Sequence, residues 1–244
     1  MDNTMYVALS RQVVLQRELD IVANNIANAD TAGFKVEDML TRTDTAAPAK
    51  TSGITSPVAF VMDDGVARDF RQGAMNQTGA PLDVAIDGKG FFTIQTAGGP
   101  RYTRDGRFKL DSNGRMVSQE GDPVQGGGSD ITLEAQKGPV SISETGVISQ
   151  QGQKVGQLDV VTFDSLGSLS KDGNNLLRNT GSTQPQPTTS AKIRQGMLEG
   201  SNVQTLTQIT KLVQLNRAYE SVTNMMSQTS DLSRKSIQRL GSVN

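Results

Sequence analysis

Two long apolar stripes at helical spacing stand near opposite ends of this chain, and a run of hairpin signals lies between them. Near the N-terminus Leu15, Leu19, Val22 and Ile26 recur at intervals of four, three and four, which places them on one face of a helix. Met5 and Ala8 continue that face backward, while Tyr6, Leu9 and Val13 lie on an adjacent flank. The pattern predicts a helix from Asp2 to Asn28, about 40 Å long at the usual rise per residue. Near the C-terminus Leu212, Leu215, Tyr219, Val222 and Met226 alternate at three and four, the seam spacing of a coiled coil or helical bundle. Ser201-Asn202-Val203-Gln204 has the form of a capping box at its entry. Past Met226 the seam turns polar at Thr229, Ser233 and Ser236, then recovers at Leu240.

The middle of the chain reads as antiparallel β. Val84-Ala85-Ile86 leads through Asp87-Gly88 into Phe91-Phe92-Thr93-Ile94, and Arg101–Arg104 turns at Asp105-Gly106 into Arg107–Leu110. Asp-Gly and Asn-Gly between apolar runs are strong hairpin signals. The series runs from Gly73 to Phe163, and its short strands predict an antiparallel sandwich or open barrel. Val58–Met62 reads as a strand closed by a turn at Asp63-Asp64-Gly65, with Val66–Phe70 as its partner. Thr43–Gly53 is small and polar without apolar period, which predicts a linker or extended arm.

Composition bounds the chemistry. The 244 residues contain no cysteine and no histidine, which removes thiol nucleophiles, disulfides, Cys/His zinc sites and imidazole catalysis. A formal net charge of -1 leaves no electrostatic footprint for nucleic acid or acidic membranes. No window approaches the roughly 20 apolar residues that span a bilayer, and no cleavable leader is visible. Hydrophobic content of 35% and aromatic content of 4% are low for a globule, so the core is modest or some apolar surface is kept for other chains.

Individual candidates for chemistry have simpler readings. Gly88-Lys89-Gly90 lacks the Ser or Thr that follows the lysine in a phosphate-binding loop, so it reads as a strand connection. Asp83, Asp87 and Asp105 suggest the paired carboxylates of a glycosidase, but their place beside turn glycines favours backbone capping. Asp111-Ser112-Asn113-Gly114 lacks the alternating ligands and terminal Glu of a calcium loop. The expectation is a protein without catalytic residues, cofactor or metal.

The first helix ends in Ala23-Asn24-Asn25-Ile26-Ala27-Asn28, three asparagines in under two turns. Asparagine is a poor helix-interior residue, and one is enough for a cap. This stretch, followed by Thr31-x-Gly33-Phe34-Lys35, resembles the signature of bacterial flagellar rod and hook proteins. Two further segments carry the same resemblance. One is Thr78-Gly79-x-Pro81-Leu82-Asp83-Val84-Ala85-Ile86-x-Gly88-x-Gly90-Phe91-Phe92 with Tyr102-Thr103-Arg104-x-Gly106-x-Phe108. The other is Gly196-x-Leu198-Glu199-x-Ser201-Asn202-Val203 with Arg217-Ala218-Tyr219-Glu220. Departures are Ser10-Arg11-Gln12, where the family often has Ser-Gly-Met, and Gln208 and Asn216, where Glu and Gln are common.

The expected fold class is α+β: long N- and C-terminal helices forming a helical, coiled-coil-like core domain, with an inserted all-β antiparallel module. The expected domains are 1–34 plus 197–244 for the helical core, 35–72 for a linker or arm with a short hairpin, and 73–196 for the β module and return arm. The resemblance implies a structural subunit of the basal-body rod of the flagellum, a hollow drive shaft through which later subunits pass. At this length and with so short an arm after Lys35 the chain resembles the proximal-rod type; a distal-rod or hook-type protein is the alternative. The implied partners are other rod proteins, copies of itself, the export apparatus and the surrounding rings, with neither nucleic acid nor membrane insertion. The implied location is the periplasm-spanning rod, reached without a cleaved signal peptide. The residues expected at assembly interfaces are Leu15, Leu19, Val22, Asn24, Asn25, Ile26, Asn28, Phe34, Ser201, Asn202, Val203, Leu212, Leu215, Tyr219, Val222 and Met226. From different classes, a secreted β-rich carbohydrate-binding protein or hydrolase and a self-contained coiled-coil scaffold remain as rivals.

Overall fold

The computed structural model describes residues 3–49, 58–134, 136–188 and 190–241. They fall into two compact units, each assembled from separate pieces of sequence. One comprises Met1–Ala27, Glu37–Asp69 and Gln204–Asn244; the other comprises Asn28–Val36 and Phe70–Val203.

The first unit contains helix α1 (Asn3–Ala27) and helix α2 (Thr205–Gly241), with a two-stranded antiparallel ribbon of β1 (Glu37–Ala49) and β2 (Val58–Arg68). Leu15 and Val22 of α1 meet Leu215 of α2 in a small buried cluster, flanked by Leu19, Ile26, Leu212, Ala218, Tyr219 and Val222. The helices run antiparallel, since Gln12 reaches Tyr219 while Asn25, further along α1, reaches Gln208 near the start of α2. The four-three-four spacing thus matches a stripe that one chain buries against itself.

The ribbon corrects the arm expected around Thr43–Gly53, of which 50–57 lie outside the described residues. Glu37–Ala49 is a strand, paired from Glu37 with Arg68 to Ala49 with Val58. Asp63-Asp64-Gly65 does not turn the chain. Leu40 pairs with Gly65 and Thr41 with Asp63, leaving Asp64 as the extra residue of a β-bulge, and Gly65 takes the positive φ of 113° that such a kink favours. Val66–Arg68 therefore continues the strand that began at Val58.

The second unit holds most of the buried apolar surface. Strands β3 (Met75–Gln77), β4 (Val84–Asp87), β5 (Phe91–Thr96) and β6 (Gly99–Thr103) open it. A six-stranded antiparallel sheet runs in the order Leu169–Lys171, Leu177–Asn179, β6, β5, Val160–Thr162, Gln186–Pro187. Around it are short two- and three-stranded pieces, including β4 with Lys192–Gln195 and β3 with Met197–Glu199. Val84, Ile86, Phe92, Ile94, Phe108, Met116 and Ile148 anchor the larger core, where Phe92 and Phe108 meet edge to face at 5.2 Å. Phe91, Tyr102, Phe163, Leu169 and Leu177 form a second cluster.

These findings overturn the expected fold class. Strand exceeds helix, 36% against 27% of residues, and the principal core lies among strands. The two terminal helices do pair, but they share their unit with the ribbon, so they do not form a helical core domain of their own. The β region is likewise one six-stranded sheet with several small satellites, in place of a sandwich or barrel. The physical reason is how few of the helices' large apolar residues are buried: among its described side chains α2 buries Leu215 and Gln208, and the others stay exposed or half-buried.

Candidate functional site

In the helical unit Asn25 is the polar centre. It is fully buried; its side-chain carbonyl accepts the Glu37 N–H at 3.0 Å, and its Nδ2 donates to the Glu37 carbonyl at 2.7 Å and to Gln208 Oε1 at 3.4 Å. One amide therefore fixes the start of β1 and reaches the first turn of α2, which explains why asparagine sits inside a helix that disfavours it. Asn24 is exposed. Around this centre, Glu37 also accepts from Arg68 Nε at 2.7 Å. Lys211 lies 3.3 Å from Glu18 and 3.0 Å from Asp38. Burial alone lowers the Lys211 pKa, but Asp38 and Glu18 together hold it above the usual lysine value.

Of the other expected residues on the helices, Leu15, Val22 and Leu215 are buried and Leu19, Ile26, Leu212, Tyr219 and Val222 are half-buried against them. Tyr219 Oη accepts from Gln12 Nε2 at 3.0 Å. Met226 is half-buried, and the side chain of Leu240 lies outside the described residues. The capping box does not form. Helix α2 opens at Thr205, and the Ser201 hydroxyl accepts the Val203 N–H at 3.2 Å, a local turn ahead of the helix.

The second unit gathers the rest around a buried charge cluster. The Glu199 carboxylate has a side-chain exposure of 0%, and its partners Lys35 and Arg104 are each at 5%. Lys35 Nζ donates to Glu199 Oε1, Arg104 Nη1 donates to Oε2 at 2.9 Å, and the Gly73 N–H donates to Oε1 at 3.0 Å. Lys35 also donates to the Arg71 carbonyl at 2.9 Å, and Arg104 to the carbonyls of Ile86 and Gly88 at 3.3 and 2.7 Å. Burial lowers the pKa of Arg104, and the adjacent Glu199 partly restores it. Its guanidinium also stands 5.4 Å from the Phe91 ring centroid. Charges this deep persist only when they are paired; within the cluster the buried Arg104 Nε alone has no hydrogen-bond partner.

The backbone closes around this cluster. Gly33 has φ 70°, donates its N–H to the Glu199 carbonyl at 2.7 Å, and lies so near the Arg104 backbone that an added Cβ would stand 2.4 Å from its carbonyl carbon. Phe34 is buried, with Lys171 Nζ 5.4 Å from its ring centroid. Asn202 Oδ1 accepts the Val36 N–H at 2.8 Å, its Nδ2 donates to the Arg71 carbonyl at 3.1 Å, and its own N–H reaches the Phe34 carbonyl at 3.4 Å. Asn28 Oδ1 accepts from the Thr31 hydroxyl at 3.2 Å. Ser201 and Val203 are half-buried beside Asn202.

Lys35, Arg104 and Glu199 each stand within one of the three motifs, but no local pattern assigns them a role. The available signal was charge in otherwise apolar or glycine-rich surroundings, one acid against two bases. Of the three aspartates expected to cap turns, Asp105 does so, its Oδ1 accepting the Arg107 N–H at 3.1 Å, while Asp87 faces the Arg194 side chain at 3.4 Å instead. In the loop that lacks calcium ligands, Asp111 Oδ1 accepts from the N–H groups of Asn113 and Arg115 at 2.8 and 2.9 Å. Among the described residues no group of three His, Cys, Asp or Glu side chains could hold a metal ion. No helix among them is long and apolar enough to cross a membrane.

Three family models match, in chain order. The model for flagella basal body rod proteins matches residues 5–35, that for the FlgE/F/G D1 domain of flagellar hook proteins matches 85–150, and that for the C-terminal part of flagellar basal body rod FlgEFG proteins matches 194–239. Lys35, Arg104 and Glu199 come one from each matched segment. The chain is 56% identical over 245 residues to the flagellar basal-body rod protein FlgF of Caulobacter vibrioides, covering 100% of both chains. It is 36% identical to FlgF of Mesorhizobium japonicum, covering 99% of each. To the basal-body rod protein FlgG of Bacillus subtilis it is 34% identical, covering 93% of this chain and 95% of the other.

Proposed function

Since the chain belongs to the family of flagellar basal-body rod proteins and is a structural subunit of that rod, we propose that it occupies the proximal part of the shaft. There it polymerises with other rod proteins and with its own copies into a hollow axle. That axle carries torque from motor to hook and lets later axial subunits pass through the bore. It acts by packing, without catalysis, and reaches its place through the flagellar export apparatus, inside the surrounding rings of the basal body.

The observation that supports the proximal type is collinearity. The FlgF of Caulobacter vibrioides aligns over 245 positions with all of both chains, whereas the FlgG of Bacillus subtilis takes 254 positions to cover 93% of this one. The FlgG chain thus carries residues that this chain lacks, as the short arm after Lys35 leads one to expect for a proximal member. A shaft under torque needs subunits that resist shear, and Leu15, Val22, Leu215 and Asn25 give the helical unit a fixed internal seam. We read the expected interface residues accordingly: those on the helices set the shape of the pair, and those around Phe34 and Asn202 stiffen the second unit.

Deletion of the gene, with complementation, tests this. The expected strain is non-motile and lacks hooks, and its arrested basal bodies regain the protein on complementation. Complete hook-bearing basal bodies in the deletion strain would sink the proposal, and hooks missing only beyond a normal proximal rod would move the protein to the distal rod.

A further inference from the structure

The hairpin of Lys109–Leu110 with Met116–Val117 turns through Asp111-Ser112-Asn113-Gly114, the one Asn-Gly pair in the chain. Asn113 is exposed and lies outside both the buried charge cluster and the helix seam. An asparagine before glycine is chemically labile. The next backbone nitrogen can attack the side-chain amide carbon, and glycine neither blocks the approach with a Cβ nor restricts the rotation it needs. The turn cannot shed this pair by replacing its glycine. Gly114 has φ 76°, and a Cβ there would stand 2.3 Å from the Leu133 carbonyl oxygen.

The folded turn keeps the reacting groups fixed. Asp111 Oδ1 holds the N–H of Asn113 at 2.8 Å and that of Arg115 at 2.9 Å. The Gly114 N–H, the would-be nucleophile, donates to the Asp111 carbonyl at 3.0 Å, and the Gly114 carbonyl accepts the Leu133 N–H at 2.8 Å. Three successive peptide planes, from Ser112–Asn113 to Gly114–Arg115, are therefore pinned by hydrogen bonds. Rotating the Gly114 nitrogen onto the Asn113 side chain requires those bonds to open first.

We propose that Asn113 is a fold-gated deamidation site, stable in the closed turn and reactive in the open chain, with Asp111 as the residue that guards it. In the open chain hydroxide takes the Gly114 N–H proton, and the nitrogen's electron pair forms a bond to Asn113 Cγ. The Cγ–Nδ2 bond breaks, and the amine leaves as ammonia with a proton from water. Water then adds to either carbonyl of the cyclic imide and breaks its C–N bond. Cleavage at the side-chain carbonyl gives aspartate, and cleavage at the main-chain carbonyl gives isoaspartate. Isoaspartate lengthens the main chain by a methylene between the bonds to Asp111 and Leu133, a few residues ahead of Met116, which is fully buried in the larger core. A chain modified while open thus carries a hairpin that no longer closes in register.

The test incubates the full chain in mildly alkaline buffer, folded or in urea, and follows Asn113 by site-resolved peptide mass spectrometry, with isoaspartate separated by chromatography. Asn113 should deamidate at least about tenfold more slowly in the folded chain than in urea. Asp111→Ala removes the acceptor of two N–H groups and should raise the folded-state rate severalfold while leaving the rate in urea unchanged. Asp111→Asn keeps an oxygen acceptor and should stay near the wild type in both, which supports the gate even where Asp111→Ala does not fold. Chains carrying isoaspartate should refold, after removal of urea, with a lower unfolding midpoint than unmodified chains. Equal rates for the folded chain and the chain in urea would overturn the proposal. So would faster loss at another asparagine in urea, or a folded Asp111→Ala that deamidates no faster than the wild type.

Discussion

Replacing Glu199 with Gln removes one negative charge from the centre of the buried cluster while keeping its shape. Lys35 and Arg104, each with 5% side-chain exposure, then face a neutral amide. Breaking a buried pair in this way costs about 3–5 kcal/mol, because the remaining charges stay out of water without compensation. With a urea m-value of about 2 kcal/mol/M, the unfolding midpoint of the second unit falls by roughly 1.5–2.5 M. Tyr102 is buried in that unit, so its near-UV circular dichroism, measured in a Tyr6→Phe/Tyr219→Phe background, follows this transition and not that of the helices. The double variant Lys35→Met/Glu199→Gln should lose less than the sum of the single changes, since the two residues share one interaction. A midpoint shift below about 0.5 M for Glu199→Gln would refute the reasoning, as would strict additivity with Lys35→Met.

Gly33→Ala combines a positive φ with a Cβ pressed against the Arg104 backbone, and should destabilise the second unit by more than about 3 kcal/mol, measured by the same urea titration. Asn25→Ala removes the hydrogen bonds that this amide makes to the Glu37 N–H and carbonyl; each is worth about 0.5–1.5 kcal/mol, and hydrogen exchange at Glu37 should accelerate while the second unit stays protected. Tyr102 titrates above the usual phenol range because burial opposes its anion, with Arg101 acting weakly the other way. The folded state then holds this proton more tightly than the unfolded one. Its stabilisation is full below about pH 10 and is lost as pH rises through the raised value. Unfolding of the wild type and Tyr102→Phe at rising alkaline pH should therefore show the wild type losing more stability.

The helices were legible because a stripe with one buried face imposes a period, and Leu15, Leu19, Val22 and Ile26 keep it. The ribbon was not. Leu40 and Met62 are exposed, so nothing forces its described residues to alternate apolar with polar, and a strand without that alternation has the composition of a linker. Asp63-Asp64-Gly65 reads as a turn for a related reason: a bulge and a turn both want a glycine at positive φ, and only the strand register tells them apart. The charge cluster was half legible. Its residues stood in the quoted motifs, but Glu199 lies 164 positions from Lys35 and 95 from Arg104, and no local pattern records a meeting over such distances. Ser201 and Gln204 had the letters of a capping box; Ser201 closes a turn on Val203 instead, and the helix opens later.

Both units are completed from the far end of the chain. Helix α1 has its seam partner only in α2, and Lys35 and Arg104 remain uncompensated until Glu199 is in place. A chain that arrives N-terminus first, through synthesis or through a narrow conduit, therefore keeps its first thirty-five residues waiting until nearly all the others have emerged. Premature closure is discouraged by order of arrival alone. The strands around Phe92 and Phe108 can collapse earlier, but the last fifth of the chain acts as the latch. Truncation there would leave a subunit open at both places at once.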